Sequence, residues 1–130
     1  MALVLVGVIG WLAPAVLSAF GRRYPPPTRI ARVEVATVYA ALKAFQVTYA
    51  SYPTGNLAQV SASLRGSNRQ GLIFLNVPGR SLNDAGELVD AWKHPLRIIL
   101  TNSAGPLVYS VGPNGRDDGG EPGSDDLVAP

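Results

Sequence analysis

The first 20 residues of the chain, MALVLVGVIGWLAPAVLSAF, form an apolar run without a charged side chain. In an α-helix, a run of this length extends about 30 Å, which matches the hydrocarbon thickness of a lipid bilayer. A helix that is apolar all round needs lipid or protein on every side, and a chain of 130 residues can hardly cover one by itself. The run therefore predicts a transmembrane helix over residues 1–24, followed by a globular domain over residues 25–130.

Two other interpretations of the apolar run stay open. It can be a cleaved secretory signal, with the small residues LSA before Phe20 as the processing site, although no Lys or Arg precedes it. It can also be a buried helix of a soluble protein. Basic residues follow the run directly, beginning with Arg22 and Arg23, and the positive-inside rule taken alone would place the globular part in the cytoplasm.

The overall composition narrows the classes of function. The net charge is +2 and the basic residues are spread along the chain, whereas a nucleic-acid-binding face requires clustered Lys and Arg. The chain has no cysteine, which excludes disulfides, thiolate metal sites and thiol catalysis. Its length is enough for one domain with a modest core. We therefore expect no nucleic-acid partner.

A helical pattern dominates the first half of the globular part. Tyr24 is followed by three prolines, which interrupt a helix because each removes a backbone donor. Thr28 then has the character of an N-cap. Apolar residues recur beyond it at spacings of three and four, which predicts an amphipathic helix over residues 28–52 that packs on a sheet. These residues are Val35, Val38, Leu42, Phe45, Tyr49 and Tyr52.

Shorter elements follow this helix. The letters YPTG are a stop signal, and Asn56 is the predicted cap of a second helix over residues 57–65. The apolar letters LIFL, residues 72–75, predict a short buried strand or a turn of helix. These two elements lie in a variable region over residues 56–90. The rest of this region is predicted to be mostly loop because Pro, Gly, Asn and Asp recur in it.

Two strands are predicted towards the C-terminus. The runs PLRIILT and PLVYSV flank the turn letters NSAG and predict a β-hairpin over residues 96–111, with Arg97 facing solvent. Beyond Val111 no further regular element is expected. Helices followed by strands indicate an α+β fold in which an antiparallel sheet packs on a helix.

Glycines and acidic residues crowd the acidic loop, GPNGRDDGGEPGSDDLV, residues 112–128. Carboxylates at close range repel each other, so an ordered loop of this kind needs a cation. Calcium takes about six to eight oxygen ligands, and glycines let a chain turn its carbonyls inward. The D-x-[DN]-x-[DN]-G ladder of an EF-hand is missing. The residues alone leave two hypotheses open, a calcium loop and a disordered acidic tail.

No group of side chains in the sequence predicts catalysis. His94 is the single histidine, has no clear acidic partner in the sequence, and is interpreted as a loop residue. Ser110 lies in YSVGPNG, which lacks the G-x-S-x-G pattern of a nucleophile elbow. Trp92 is the predicted packing anchor under the hairpin, and Asp90 is expected to bond nearby backbone and fix its turn. We therefore predict that the chain is not an enzyme.

Several landmarks occur in one order along the chain. Tyr52 and Pro53 follow the amphipathic helix, and the stretch DAWKHPLRI contains Asp90, Trp92 and Pro95. The last landmark, YSVG with NG and then GSDDL, comprises Ser110, Val111, Gly112, Asn114, Gly115, Asp125, Asp126 and Leu127. In this order the landmarks resemble the pseudopilins of type II secretion systems, especially the major pseudopilin, and related type IV pilin-like proteins.

The resemblance implies a pilin-like fold, in which a long N-terminal hydrophobic helix packs on a small antiparallel β-sheet and a C-terminal acidic loop holds one calcium ion. The ligands that it implies are Val111, Asn114, Gly123, Asp125 and Asp126. Val111 and Gly123 would offer backbone carbonyls, and Asn114 stands where the family has its first aspartate. Asp117 and Asp118 belong to an additional stretch and would serve as substitute ligands.

The resemblance also implies a function and a location. Such subunits reside in the inner membrane with the globular domain in the periplasm, and then polymerise through the apolar helix with copies of themselves and other pilin-like subunits. An assembly ATPase and platform proteins act on them indirectly, and the filament can be extracellular. Here Gly7, Gly10 and Ala13 would let helices approach closely, and Pro14 would loosen the helix. Aligned on Gly10, the family's leader, cleavage site and glutamate would lie upstream of Met1.

Two alternative functions fit the same residues. The chain can be a type IV pilus subunit for adhesion or motility. It can also be a membrane-tethered or secreted module that binds calcium as a monomer. A filament subunit should associate through residues 1–20 into long polymers, whereas a module should stay dispersed when solubilised.

Overall fold

The computed structural model describes residues 25–101 and 104–130. In these residues two α-helices precede a small antiparallel sheet with the strand order β1-β2-β3, which confirms the predicted α+β class. The elements are α1 (Pro27–Tyr49), α2 (Leu57–Leu64), β1 (Arg97–Ile99), β2 (Leu107–Ser110) and β3 (Leu127–Val128).

Helix α1 begins at Pro27, and the prediction of a Thr28 cap is wrong. Pro26 occupies the cap position with φ −58° and ψ 148°, an extended conformation, and Pro27 takes the first helical position. Proline suits that position because its φ is already helical and the missing N–H would have no helical partner there. The prolines therefore set the start of α1, and Thr28 lies inside its first turn.

Helix α1 ends at Tyr49 and not at residue 52 as predicted. Ala50 adopts the left-handed region, with φ 59° and ψ 14°, which closes the last turn. Tyr52 lies beyond this cap and packs, half-buried, against the core, and Pro53 is buried. The residues YPTG therefore lie outside the helix, as predicted, but α1 already ends before them, at Tyr49.

The predicted apolar stripe of α1 is buried and packs on the sheet, as expected. Val35, Val38, Leu42 and Phe45 are all buried. Helix α1 contacts β2 and β3, and Val108 of β2 is fully buried. Full burial of one such aliphatic side chain stabilises a fold by roughly 1.5–3 kcal/mol. The centre of the core therefore lies between this helix and the sheet.

Helix α2 begins with a reciprocal cap. The Asn56 side chain accepts the Gln59 N–H at 2.9 Å, and the Gln59 side chain accepts the Asn56 N–H at 2.8 Å. This capping box satisfies two backbone donors that the start of a helix otherwise leaves free. The predicted cap is confirmed, and so is the helix, which ends at Leu64.

The prediction of a strand or helical turn over residues 72–75 is wrong, and the predicted burial holds for its second half only, where Leu75 is 2% exposed and Phe74 packs against the core. Leu72 and Ile73 are 41% and 69% exposed. The next two residues donate their N–H groups to the Leu64 carbonyl at 2.8 and 3.0 Å. The stretch is thereby attached to the C-terminal end of α2, where a helix has carbonyls without partners, and it does not join the sheet.

The segment between α2 and the sheet is mostly loop, as predicted. It contains one turn of 3₁₀-helix at Gly79–Ser81 and two isolated bridges, Leu82 with Leu88 and Val89 with Pro95. Leu88 and Val89 are buried. The loop therefore covers one side of the core and carries the chain into β1.

Strands β1 and β2 form the predicted hairpin, with Arg97 opposite Tyr109, and Arg97 is exposed as expected. The expectation that nothing regular follows Val111 is wrong, because Leu127–Val128 pairs with β2 as β3. A strand of this length has no sequence pattern of its own. Its position is set by the partner strand and by the loop that returns to it.

The described part of the chain holds no helix that is both long enough and apolar enough to cross a membrane. The predicted apolar helix over residues 1–24 lies outside the described residues. The same is true of its Gly7, Gly10, Ala13 and Pro14.

Candidate metal centre

The acidic loop leaves the sheet at the end of β2 and returns to it as β3. Ser110 pairs with Leu127, and Tyr109 pairs with Val128. The Ala129 N–H donates to a β2 carbonyl at 2.9 Å. Both ends of the loop are therefore held on one strand, which argues against the hypothesis of a disordered acidic tail.

Three carboxylates converge in this loop. Ligand oxygens of Asp118, Asp125 and Asp126 lie within 4.8 Å of one another. Negative charges at such a distance repel each other unless donors or a cation lie between them. An all-oxygen set of this kind suits a hard cation. The structure thus groups two predicted ligands, Asp125 and Asp126, with one predicted substitute, Asp118.

Asp126 is the most buried member of the group, with 8% of its surface exposed. Its Oδ2 accepts the N–H groups of Asp118 at 3.0 Å and Gly120 at 2.9 Å. Its Oδ1 is buried and has no hydrogen-bond partner among the described residues. A buried carboxylate oxygen without a partner is unfavourable, so this atom is suited to a cation.

Asn114 contacts the group through Asp125. Its Nδ2 donates to Asp125 Oδ1 at 2.6 Å, and its backbone N–H donates to Asp125 Oδ2 at 3.3 Å. The Asn114 Oδ1 accepts the Arg116 N–H at 2.8 Å. The structure therefore places Asn114 at the edge of the group, where it orients one of the carboxylates.

Gly112 allows the start of the loop to meet its end. It adopts φ 73°, which disfavours any residue with a side chain, and a Cβ there would collide with the backbone carbonyl oxygen of Asp125. Its N–H donates to Ser110 Oγ at 3.1 Å. The close approach of Gly112 to Asp125 is therefore a requirement for closing the loop.

Asp117, the other predicted substitute ligand, lies outside the group and connects the loop to the sheet. Its carboxylate accepts the Tyr109 hydroxyl at 2.7 Å and the Gly119 N–H at 2.9 Å, and it lies 3.0 Å from Arg97 Nε. The tyrosine hydroxyl, then the Gly119 N–H and the guanidinium, hold the pKa of Asp117 below its ordinary value. Burial, and then the hydrogen bond to Asp117, raise the pKa of Tyr109 to about 12.

Val111 and Gly123 flank the carboxylates. Val111 is buried at the start of the loop, and Gly123 is exposed with φ 87°, a conformation that glycine adopts without strain. The turn that contains Gly123 is closed by Ser124, whose Oγ donates to the Glu121 carbonyl at 2.7 Å. The backbone carbonyls of Val111 and Gly123 remain the predicted further ligands of the ion.

A buried aspartate ties the turn before the hairpin to the sheet. Asp90 is 2% exposed, and its Oδ1 accepts the N–H groups of Trp92 at 3.0 Å and His94 at 2.9 Å. Its Oδ2 accepts the Ser110 hydroxyl at 2.6 Å. The prediction that Asp90 bonds nearby backbone and fixes its turn is confirmed. Since Ser110 also accepts the Gly112 N–H, these hydrogen bonds reach the start of the acidic loop.

His94 lies in a loop, as predicted. Its Nδ1 lies 3.8 Å from Asp90 Oδ2, which is an ion pair only when the imidazole is protonated, and this nitrogen has no hydrogen-bond partner among the described residues. Asp90, His94 and Ser110 are the residue types of a catalytic triad, but in a triad the imidazole contacts the serine hydroxyl. Here the histidine and the serine both approach the same aspartate oxygen, and Ser110 is fully buried. This group therefore cannot present a serine nucleophile to a substrate.

The remaining predicted structural residues differ in burial. Trp92 is half-buried and Pro95 is exposed. Tyr52 packs against the core cluster of the described residues, and Pro53 is buried. Of these positions, the Tyr-Pro pair after α1 is the one that the described core holds in place.

Comparison of the chain with protein-family models, with characterised proteins and with solved structures found no match. The resemblance to pilin-like proteins therefore stays a prediction from the motifs. The chemistry of the acidic loop is the feature of the described residues from which a function can be inferred.

Proposed function

We propose that the chain is a structural subunit of a pilin-like filament, of the kind that forms the pseudopilus in type II secretion, with one structural calcium ion in its acidic loop. The observation that carries the proposal is the closure of this loop by β3 on a sheet that α1 covers. The landmarks that resemble the family coincide with these elements. Tyr52 and Pro53 follow α1, Asp90 fixes the turn before the hairpin, and the last landmark spans the loop itself.

Calcium is the ion that the donor set favours. The group offers carboxylate oxygens from Asp118, Asp125 and Asp126, and an oxygen of the last lacks a partner among the described residues. Magnesium demands near-octahedral geometry and keeps several of its waters, whereas calcium accepts flexible geometry from many oxygens. Bound calcium would neutralise the carboxylates and hold the loop against β2.

Thermal unfolding with and without calcium tests the metal site. Extracellular calcium modules bind at roughly 10⁻⁴–10⁻³ M. At about 10 mM calcium the linkage relation then predicts a gain of about 1.4–2.7 kcal/mol in the free energy of unfolding over the chelator-treated protein. Asp126→Asn should abolish this gain. Glu121→Gln should keep it, because Glu121 is an exposed acid of the same loop outside the group.

An equal gain in both variants would show that calcium screens surface charge in general, and it would contradict the site. No gain in the unaltered chain would do the same. The filament proposal would then have to stand without a calcium site.

In the proposed role, residues 1–24 lie in the inner membrane before assembly and in the filament core afterwards. The globular domain then faces the periplasm, or the outside of an extracellular filament. Copies of this chain and other pilin-like subunits are the direct partners, and an assembly ATPase and platform proteins act indirectly. Gly7, Gly10 and Ala13 would permit the close helix contacts that such a core needs.

Electron microscopy of sheared cell-surface material, with peptide mass spectrometry over residues 1–24, tests the filament. Filaments that contain this chain with the apolar run retained would support the proposal. A dispersed protein that lacks the run would contradict it. Deletion of the chain separates the two filament functions, because a pseudopilus subunit is needed for secretion and a type IV pilus subunit for adhesion or motility.

A membrane-tethered or secreted calcium-binding monomer is the second candidate, and the proline break before α1 favours it. In the resembling family the helix is generally continuous at this point, whereas here Pro26 is extended and α1 begins at Pro27. Sedimentation of the full chain in detergent discriminates between the two. Uniform monomers at every concentration favour the module, and long polymers favour the filament subunit.

A further inference from the structure

An apolar groove of about 1050 Å³ lies along the first half of α1. Helix α1 contributes Ile30, Val33 and Val38 to its walls, and the segment between α2 and β1 contributes Leu75 and Leu96. The volume matches the upper end of the range of about 300–1,000 Å³ for binding pockets, and Val33 is 60% exposed in it. An open apolar surface of this size indicates a docking site, because its contact with water is unfavourable.

One acidic side chain lines this groove. Glu34 is half-buried, and its Oε2 is buried without a hydrogen-bond partner in residues 25–101 and 104–130. Burial, and then the Asp90 carboxylate, raise the pKa of Glu34. Arg29 and Arg80 line the groove as well, but within the described residues neither forms an ion pair with Glu34. The occupant of the groove should therefore bring both apolar side chains and a cation.

The same chain exposes two adjacent apolar side chains beside the second half of α1. Leu72 and Ile73, here called the apolar pair, are 41% and 69% exposed, and neither lines the groove. The ring centroids of the next residue, Phe74, and of Phe45 lie 5.3 Å apart, which fixes the position of the pair along α1. From Glu34 to Phe45 the helix rises about 17 Å, at 1.5 Å per residue. The apolar pair is therefore well separated from Glu34 of its own chain.

A free basic side chain lies next to the apolar pair. Arg65 is the exposed C-cap residue of α2, and it forms no ion pair among the described residues. A Cβ added at the next residue, Gly66, would lie 3.5 Å from Ile73 Cγ1. The apolar pair and Arg65 thus form one exposed surface with the chemistry that the groove requires.

We propose that the apolar pair of one copy of this chain docks into the groove of a second copy, with Arg65 of the first copy against Glu34 of the second. The contact joins two different surfaces, so each docked copy still has one of them free for a further copy. Contacts of this heterologous kind extend into open filaments when the rotation between copies does not close a ring. The inference rests on the proposed filament function and names the contact between its subunits.

The proposed function also determines the orientation of the two copies. In an antiparallel pair, both contacts would form reciprocally and the assembly would stop at a dimer. The Pro25 ends of the two chains would then lie at opposite ends of the dimer, whereas subunits that share one membrane need them on the same side. The copies therefore lie head to tail with their α1 helices pointing the same way.

Other surfaces of the chain fit the groove less well. The remaining exposed large apolar side chains of the described residues outside the groove are Val47, Ile99 and Val128, and no two of them are adjacent in the sequence. A contact through one apolar pair is small, because stable interfaces bury about 1,200–2,000 Å² in total. It would therefore set the register between neighbouring subunits, while other surfaces supply most of the affinity.

Disulfide cross-linking between differently tagged full chains tests this contact, because the chain has no cysteine of its own. The first chain carries Leu72→Cys and the second carries Thr37→Cys, a position that lines the groove. The control for the second chain is Thr48→Cys. Both threonines are exposed on α1 and donate to the carbonyl four residues earlier, but Thr48 does not line the groove. In detergent, at concentrations where the chain sediments as polymers, the groove combination should cross-link about tenfold faster than the control.

Charge reversal on separate chains tests the ion pair. Glu34→Arg in the Thr37→Cys chain should slow the cross-link by about fivefold, and Arg65→Glu in the Leu72→Cys chain should restore it. A restored rate cannot come from a change in the fold of one chain, because the two substitutions are on different chains. Arg69→Glu is the control, since the Arg69 guanidinium lies over the Tyr49 ring at 5.6 Å, and it should not restore the rate. An unchanged rate in Glu34→Arg, or equal rescue by both reversals, would overturn the pairing of Arg65 with Glu34.

The remaining outcomes separate this contact from the filament function. Polymers in which the groove and control combinations cross-link at equal rates would overturn the contact and leave the filament proposal standing. Uniform monomers at every concentration would overturn both. A single chain that carries Leu72→Cys with Thr37→Cys should give a ladder of multimers on oxidation. A product that stops at the dimer would overturn the head-to-tail arrangement and assign the groove to an antiparallel second copy.

Discussion

The region formed by α1 and the hairpin and the region formed by the acidic loop are stabilised by different forces. Between α1 and the sheet, Leu42 and Val108 are fully buried, and apolar contact supplies most of the stability. In the loop, the side chains of Asp117, Asp125 and Asp126 accept hydrogen bonds from backbone, amide and hydroxyl donors. The first region should therefore be indifferent to ions, whereas the second should respond to them.

Strand β2 belongs to both regions. Strand β2 packs its Val108 under α1 and carries Ser110 and Tyr109 to the loop, where Ser110 bonds Asp90 and Tyr109 bonds Asp117. An apolar core of this kind provides a rigid base, and the polar loop is attached to it by a few hydrogen bonds. The effects of substituting Val108 and of substituting Ser110 or Tyr109 should therefore be separable.

The largest effect is expected in the core. Leu42→Ala should lower the free energy of unfolding by about 3–5 kcal/mol, because the leucine is fully buried and its removal leaves a cavity. Val47→Ala is the matched control on the same helix, since Val47 is 79% exposed and its loss should cost less than about 0.5 kcal/mol. Urea denaturation measures both.

The cost of Leu42→Ala should be the same with calcium and with a chelator. A cost that changes with calcium would show that the loop and the core are one cooperative unit with respect to the ion. The contrast between the two regions would then be wrong.

The next effect is expected at the start of the loop. Gly112→Ala should cost about 2–4 kcal/mol, because φ 73° strains an alanine and its Cβ collides with the Asp125 carbonyl oxygen. Gly119 has nearly the same φ, 72°, but no atom lies within 4 Å of an added Cβ. Gly119→Ala should therefore cost only the backbone strain, about 1–2 kcal/mol.

Equal costs at the two glycines, measured by urea denaturation, would mean that Gly112 and Asp125 are not in close contact in solution. The closure of the loop would then differ from the one described. A larger cost at Gly112 isolates the collision from the strain, since the two positions share their backbone conformation.

The sequence predicted the apolar region better than the polar one, for a physical reason. Apolar residues three and four apart identify a helix face, so the stripe around Leu42 and the cap at Asn56 could be recognised from neighbours in the chain. The stretch over residues 72–75 is the exception. Its apolar letters indicate burial, but hydrogen bonds to the Leu64 carbonyl determine its path.

From the sequence, the acidic loop could be predicted only as a segment rich in glycine and acidic residues, without its contacts. Asp117 and Asp118 are adjacent, and nothing in the sequence tells which one joins Asp125 and Asp126. The answer depends on Arg97 and Tyr109, which reach Asp117 across the sheet. Strand β3 was missed for a related reason, because two residues form a strand only when a partner strand holds them.

The smallest effect is expected where the loop meets the sheet. Tyr109→Phe removes one hydrogen bond to Asp117 and should cost about 0.5–1.5 kcal/mol at neutral pH. Because the pKa of Tyr109 is raised from 10.0 to about 12, its contribution is fully present below pH 10 and is lost as the pH rises through 12. The stabilities of the variant and the unaltered chain should therefore converge over that interval.

Urea denaturation at several pH values between neutral and 12 measures this convergence. A difference that stays constant across the interval would contradict the contact between Tyr109 and Asp117.

Hydrogen exchange of backbone amides, recorded with calcium and with a chelator, tests the central claim most directly. The amides of Asp118 and Gly120 donate to Asp126, so a bound ion that fixes Asp126 should slow their exchange. The amides in the middle of α1 should exchange at the same rates in both conditions. Calcium-dependent protection confined to the loop is the predicted result. Equal rates in the loop, or an equal change in α1, would contradict a calcium ion that holds the loop on a metal-independent core.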